Sequence, residues 1–595
     1  MDMFDVLMAK SLSGGGGAAP TLITKNITAN GSYAASDDDA DGYSAVTVEV
    51  ATGGHEVVIT TLAGAVVTLA KTGTTYTATA DNNGIAHFIG VAAGTYTVTA
   101  TYDGATSDST TVTVSDFSAT ENTFATISIT ASDDCTITIT DGTITKTVAY
   151  LAGATITQYA SVGSTWDISA VIDETTITRT VAVTTYTDYA VNLAPAPASV
   201  TYGFFIDSSV SDSDNAVTYI EDAIGMTPAA MGASTFDYGD WENAFFMPKP
   251  CMLKSDGTVD YYLDQNDYSK KADGTASDIA NSNYDGNAMM EFPKIWYKFA
   301  GGTNTGDGYF YVSNTQVDNT YHCWCNIDAN NNEIDHFYMA IYNGTGTSKL
   351  RSLSGVTLNS SSGNGNTTAT QETTRAQANN PSGKQMWYID QWCDRLLINA
   401  LLVLMSKSLN SQGKFGQGIV TVSQTAKEAY VTGSLNTRGL FYGDISGQST
   451  AVKVFGIENW WGLAYRRTAG CINASGTLKI KLTWGTADGS TTTGYNEDGS
   501  NYISNGSVCT SSNYITKMKF DQYGYMVNTV NSNASSTYYQ DYYYYSSGTK
   551  YLLVGGHAAL GSSAGAFFFV LSLAPSAAGW NSAAALSCKP LAATE

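Results

Sequence analysis

Between residues 53 and 196 the chain is written almost wholly in a two-residue rhythm. "EVVIT", "AVVTLA", "TYTATA", "AHFIGV", "TYTVTATY" and "TTVTV" follow one another up to Asp116, and "TISIT", "CTITIT", "TKTVAYL", "ATITQYA", "WDISAVI" and "TRTVAVTTY" take up the pattern after it. Turns rich in Gly, Asn and Asp interrupt the runs at short, even intervals. Side chains alternate across a strand, so each run offers one face to a core and one to water, and short, evenly spaced strands of this kind close into antiparallel sandwiches. The rhythm predicts two of them, over residues 53–116 and 117–196. Their Thr- and Ser-dominated surfaces carry no aromatic cluster and no metal-spaced carboxylates, which suits a spacer better than a binding module.

The rest of the chain is a different material. With 595 residues it is too long for a single core. Of its 38 tyrosines only 9 precede residue 201, and of its ten tryptophans only Trp166 does. Charge divides the other way: residues 1–200 carry 5 basic and 20 acidic side chains, -15 of a total of -24. That excess of negative charge makes nucleic acid and anionic membrane surfaces poor partners. The longest apolar run, "LLINALLVLM" from Leu396, is about half of what a bilayer requires, and the first residues lack both a basic leader and an apolar core, so neither membrane insertion nor signal-directed export is expected. The eight cysteines are scattered without a disulfide spacing and read mostly as reduced, buried thiols.

Four segments follow. Residues 1–52 hold the Gly-rich joint "SGGGGAAP" and a small β element built around an Asn-Gly and an Asp-Gly turn. The two sandwiches come next, and "LAPAPASVTYGFFI" supplies the prolines of a stiff linker. Residues 197–595, rich in Trp, Tyr, Asn and Gly, show one long helical pattern, "GKQMWYIDQWCDRLLINALLVLMSKS", with a stripe at Trp387, Trp392, Leu396, Leu397, Leu401 and Leu404. One helix among many irregular segments predicts an α+β domain with long loops. In "FGIENWWGLAYRRTAGC" the tryptophans read as a core turn bracketed by arginines.

Catalytic signals are sparse. The five histidines are far apart in sequence, and "YHCWCN" gathers His322, Cys323 and Cys325 without a fourth ligand. No G-x-S-x-G elbow occurs, and nothing around Cys471, Cys509 or Cys588 marks a reactive thiol. No resident cofactor is expected, although the acidic turns at Asp207 and Asp328 offer the oxygen ligands that calcium takes. Paired carboxylates for sugar hydrolysis carry no sequence signature, so a hydrolase stays open as an alternative.

"TYYQDYYYY" sets six tyrosines among the eight residues from Tyr538 to Tyr545. Tyr combines large contact area, a polar tip and low rotamer entropy, and with Ser, Gly and Asn it dominates adaptable binding surfaces. Four consecutive tyrosines put rings on both faces of a strand, which favours an irregular or doubly covered segment; a Tyr-rich edge strand packed on a neighbour is the plainer alternative.

Four stretches carry a family resemblance. "LITKNITANGSYAASDDDADGYSAVTVEV" resembles a segment recurrent in structural and tail proteins of bacterial viruses, and "DNNGIAHFIGVAAGTYTVTAT" is similar to immunoglobulin-like and carboxypeptidase-regulatory-like sandwiches. "GIENWWGLAYRR" and "LLVGGHAALGSSAGAFFFVLSLAPSAAGWNSAAALSCKP" resemble the C-type lectin-like domains shared by formylglycine-generating enzymes and the variable proteins of diversity-generating retroelements, with Ala583 and Ala585 where that family tends to Gly and Arg. The resemblance implies a phage tail fibre with its N-terminal segment on other tail proteins, a homotrimer displayed on the virion, and a variable region over about 537–588 that adheres to a host-surface protein or glycan. The contact residues it implies are Tyr538, Tyr539, Asp541, Tyr542, Tyr543, Tyr544, Tyr545, His557, Ala558, Ala559, Ser562, Ser563, Phe568, Ser576, Ala577 and Ala578, with Trp580 and Asn581. A tail-borne polysaccharide depolymerase and a purely structural virion decoration are the alternatives.

Overall fold

The computed structural model describes residues 22–27, 45–50 and 55–592, apart from 93, 115–118, 123–124, 173–174, 186, 195–198 and 234. The Gly-rich joint, the turns expected within 28–44 and the linker prolines lie outside the described residues. The protein is β-rich, with many short sheets, and divides into two compact units between residues 197 and 198.

In the front unit Leu22–Ile27 and Ala45–Val50 pair in parallel. Each predicted run up to Val114 becomes a strand, and these strands form two facing sheets. His55–Thr60 lies between Ile85–Val91 and Ala119–Asn122; Val66–Lys71 lies between Thr74–Thr79 and Gly94–Tyr102, which also carries Ala105–Thr106 and Thr110–Val114. Val57, Ile59, Leu69, Phe88, Tyr96 and Val98 fill the space between them. A second sheet pair follows: Ile156–Ala160, Ala125–Ala131 and Asp188–Leu193 in one sheet, and Thr145–Tyr150, Cys135–Thr140, Thr165–Ile172 and Thr175–Ala182 in the other. Ile127, Ile129, Ile137, Ile139 and Ile168 close around Trp166. Strand Ala119–Asn122 pairs with the first sheet set rather than the second, because its parallel register on Val57–Thr60 extends an otherwise open edge.

The rear unit holds a four-stranded, a six-stranded and a nine-stranded sheet around the helix Trp392–Ser406. All fifteen helical residues are buried, so the expected stripe is absent. The polar positions are buried because each finds a partner. Arg395 stacks on Trp460 with its guanidinium carbon 3.4 Å from the ring centroid, and Asn399 accepts from Trp460 Nε1 at 2.9 Å while donating to the Ala566 carbonyl at 2.7 Å. Trp387 does not join this helix. It begins the strand Trp387–Ile389, which pairs with Leu586–Cys588, and the helix starts only after Gln391. A second helix, Ala369–Gln377, opens on a capping box in which Thr368 Oγ1 accepts from Gln371 N–H and Gln371 Oε1 accepts from Thr368 N–H. Among the described residues no helix is long and apolar enough to cross a membrane.

Candidate functional site

The four consecutive tyrosines are neither irregular nor an edge, whereas Tyr538 and Tyr539 precede them in a turn. Tyr542–Tyr545 is an interior strand of the nine-stranded sheet, antiparallel to Asn513–Asp521 on one side and parallel to Phe569–Leu571 on the other. Beyond Phe569–Leu571 come Lys550–Val554 and then Tyr465–Ala474. Consecutive side chains on a paired strand must take opposite faces. Tyr543 accordingly enters the main core, fully buried, with its hydroxyl on the Cys509 carbonyl at 3.0 Å, and Tyr545 packs on the same side. Tyr542 and Tyr544 take the other face, where they lie over a small cluster of Tyr465, Leu553, Phe568 and Val570.

On that face the rings form one unbroken series. Tyr514 meets Tyr542 at 5.1 Å between centroids, Tyr542 meets Tyr544 at 4.6 Å, and Tyr544 meets Phe568 at 5.8 Å. Phe568 stacks on Tyr465 at 5.7 Å, Tyr465 meets His557 edge-on at 4.7 Å, and His557 meets Trp580 at 5.5 Å. Tyr514, Tyr542, Tyr544, His557 and Trp580 keep part of their surface in water, whereas Phe568 and Tyr465 form the floor. Hydroxyls sit among the rings: Tyr514 Oη is 3.2 Å from Ser563 Oγ, and Tyr542 donates to the Ser512 carbonyl at 3.3 Å. Burial lowers His557 to about 4, so its imidazole is neutral near pH 7. Its Nδ1 accepts from Ala559 N–H at 3.2 Å, which leaves the proton on Nε2.

Two turns hold the loop that carries His557. Gly555 and Gly556 follow the strand Lys550–Val554 with φ of 83° and 75°, and a Cβ on Gly555 would stand 2.9 Å from the Trp460 carbonyl oxygen. The two quoted landmark stretches meet here, since Gly462 N–H donates to the Gly555 carbonyl at 2.8 Å. Trp460 and Trp461 are fully buried, as the core-turn reading of that motif has it.

The expected contact residues therefore separate. Tyr542, Tyr544, His557, Ser563 and Trp580 gather on the aromatic face, with Phe568 beneath them. Ala559, Ser562, Ser576 and Ala578 are exposed, and Ala577 and Asn581 partly so. Five expectations are corrected by burial: Tyr539, Asp541, Tyr543, Ala558 and Phe568 are at most 2 % exposed. Tyr539 packs against Phe567, and Asp541 accepts from Phe567 N–H at 2.7 Å behind the sheet. Ala558 lies in a small cluster with Leu358, Leu435 and Leu463. Tyr538 turns away to the segment Ser211–Ser213, where its N–H donates to the Ser211 carbonyl, and Tyr545 faces the core. Tyr465 and Tyr514 were not expected at the site. Tyr465 sits within a quoted motif and Tyr514 within an alternating run, but only the register Tyr514↔Tyr542 brings the latter in.

Other clusters do different work. His322, Cys323 and Cys325 do not converge; His322 stacks on Trp324, while Cys325 turns inward to a buried group with Cys393 and Asp394. Lys589 supplies the cation of that group, 3.2 Å from both Cys393 Sγ and Asp394 Oδ1, and its charge is held despite burial by Asp394 and the neighbouring thiols. The eight cysteines are free thiols, six of them buried. In the acidic turns, Asp207 accepts from Ser209, Asp212 from Asp214 and Asn215 N–H, and Asp328 from Asn330 and Asn332, so these carboxylates close turns, while Asp214 pairs with Lys414. Glu291 accepts from the Tyr262 and Tyr338 hydroxyls, with His336 Nε2 at 3.8 Å.

No family model and no curated protein sequence matches the chain. Among solved structures it is similar to the minor pilin GBS52 of Streptococcus agalactiae (10% identity, 24% of this chain and 98% of that one, TM-score 0.12). It is similar also to the Bacillus anthracis TIE protein (13%, 42% and 46%, 0.10) and to a Ca2+-stabilised ice-binding adhesin of an Antarctic bacterium (17%, 45% and 74%, 0.08). At these TM-scores the likeness carries no argument about fold or function.

Proposed function

We propose that this chain is a receptor-binding protein of a phage tail, which adheres to a bacterial surface through the aromatic face of residues 198–595. The observation that supports it is the unbroken series from Tyr514 to Trp580, in which rings sit partly in water on a frame that buries their neighbours. Large apolar rings are left at a surface where a partner can cover them, and aromatic residues dominate the energetics of such contacts. The frame is a strand paired on both sides within a nine-stranded sheet, so the rings keep their places before a partner arrives and little ordering entropy is lost on contact. In this reading residues 1–52 dock on other tail proteins, the two sheet pairs space the head outward, and a homotrimer multiplies a modest single-site affinity. Adhesion alone is assigned to the chain, with no catalysis.

The test is saturable binding of the labelled chain to a panel of bacteria, with competition against phage adsorption on the strains that bind. Absence of binding across the panel, or binding without competition, overturns the reading. A hydrolytic alternative draws on Glu291, a nearly buried carboxylate held by two phenols. Shortening of capsule polysaccharide by the wild type but not by Glu291→Gln would favour it.

A further inference from the structure

We infer that the ligand of the aromatic face is an uncharged carbohydrate chain of the bacterial surface. This rests on the adhesive reading above and adds the chemistry of what is held.

Charge is the first argument. From Thr537 to Cys588 the only Asp, Glu, Lys or Arg residues are Asp541 and Lys550. Asp541 is buried behind the sheet, and Lys550 is not part of the ring series. His557, in the middle of the series, is neutral near pH 7. A uronate, sialate or phosphate polymer laid on this face would lose hydration and find, within Thr537–Cys588, no cation but Lys550, which is costly. A protein partner of ordinary composition would bring charges to the same surface and meet few in return from this segment.

Shape and hydrogen bonding are the second. A pyranose has an apolar C–H face and a rim of hydroxyls, so it needs a ring beneath and donors and acceptors beside it. The face supplies both in alternation: Tyr514 beside the Ser563 hydroxyl, Tyr542 beside the Ser512 carbonyl, and Trp580 beside the Nε2 proton of His557. The series extends over five partly exposed rings, which suits a chain of several sugars rather than one.

The experiment uses the full-length chain and bacteria that bind it. Cells are treated either with protease, to strip surface protein, or with periodate, to cleave vicinal diols, and binding is measured near 0.05 M and near 0.5 M salt. Protease should leave binding intact, periodate should lower it by about tenfold or more, and the salt step should change it less than about twofold because no ion pair is broken. Tyr544→Ala should weaken binding to untreated cells by about tenfold or more. Loss after protease with survival after periodate would assign the contact to a protein, and a steep salt dependence would assign it to a charged polymer. Either result overturns this inference and leaves adhesion standing. Failure to bind any untreated cell overturns the adhesive reading itself.

Discussion

Two buried ionisable groups show how far single residues are committed to the frame. Asp541 has one backbone donor and, among the described residues, no ion-pair partner, and burial raises it well above the ordinary carboxylate range. The folded state thus keeps a proton that the unfolded chain loses near pH 4. Its contribution to stability is complete below that pH and is lost as pH rises through the raised native value. Asp541→Asn should therefore raise the thermal midpoint at pH 8 and close on the wild type near pH 4; parallel curves would contradict this. Lys589 is the reverse case, a cation whose removal leaves Asp394 alone in the core. Lys589→Met should cost about 3–5 kcal/mol in denaturant unfolding, and a change under about 1 kcal/mol would show that the pair is not closed as described. Neither role was legible in the sequence, because an Asp within a tyrosine run and a Lys near the C-terminus look like ordinary surface charges until their burial is known.

At the level of elements, legibility followed from how many faces are buried. In the front unit one face of each strand is covered, so alternation is a local signal, and the predicted runs became strands such as Ala125–Ala131, buried at every second residue. Asp188–Leu193 lies inside the second predicted sandwich but is not among its quoted runs, because its alternation is short and polar. In the rear unit strands such as Gly286–Pro293 and Tyr465–Ala474, and the whole helix, are covered on every side, so there the periodicity that marks a surface is missing. The tyrosine strand is a mixed case: four consecutive rings left an irregular, a doubly covered and an edge segment open, and its sheet neighbours, remote or reordered in sequence, made it an interior strand with one face in the core and one partly in water. The helix Ala369–Gln377 was readable in principle from Thr368 and Gln371, three residues apart ahead of an undistinguished polar run. Turn chemistry makes a prediction of its own. Gly555→Ala forces a side chain into the left-handed region and against the Trp460 carbonyl, and should destabilise the rear unit by about 1–3 kcal/mol; a neutral effect would mean that the Gly555–Gly462 contact is not formed.

For the whole molecule, the break between residues 197 and 198 separates an acidic, aromatic-poor unit from one that holds most of the rings. If adhesion belongs to the second, residues 198–595 produced alone should melt cooperatively and bind the same cells as the full chain, with affinity lowered only where multivalency is lost. A piece that folds but does not bind would place the contact in the front unit. Light scattering of the full chain checks the proposed trimer, and a monomer mass refutes it.

The central claim is that one face of a single strand makes the contact while the other face holds the fold. Separate alanine substitutions at Tyr542, Tyr543, Tyr544 and Tyr545, each measured for cell-binding affinity and for thermal midpoint, test it most directly. Tyr542→Ala and Tyr544→Ala should lose affinity by about tenfold or more with small changes in midpoint, whereas Tyr543→Ala should cost about 3–5 kcal/mol of stability. Affinity that is indifferent to Tyr542 and Tyr544 in well-folded variants would contradict the account.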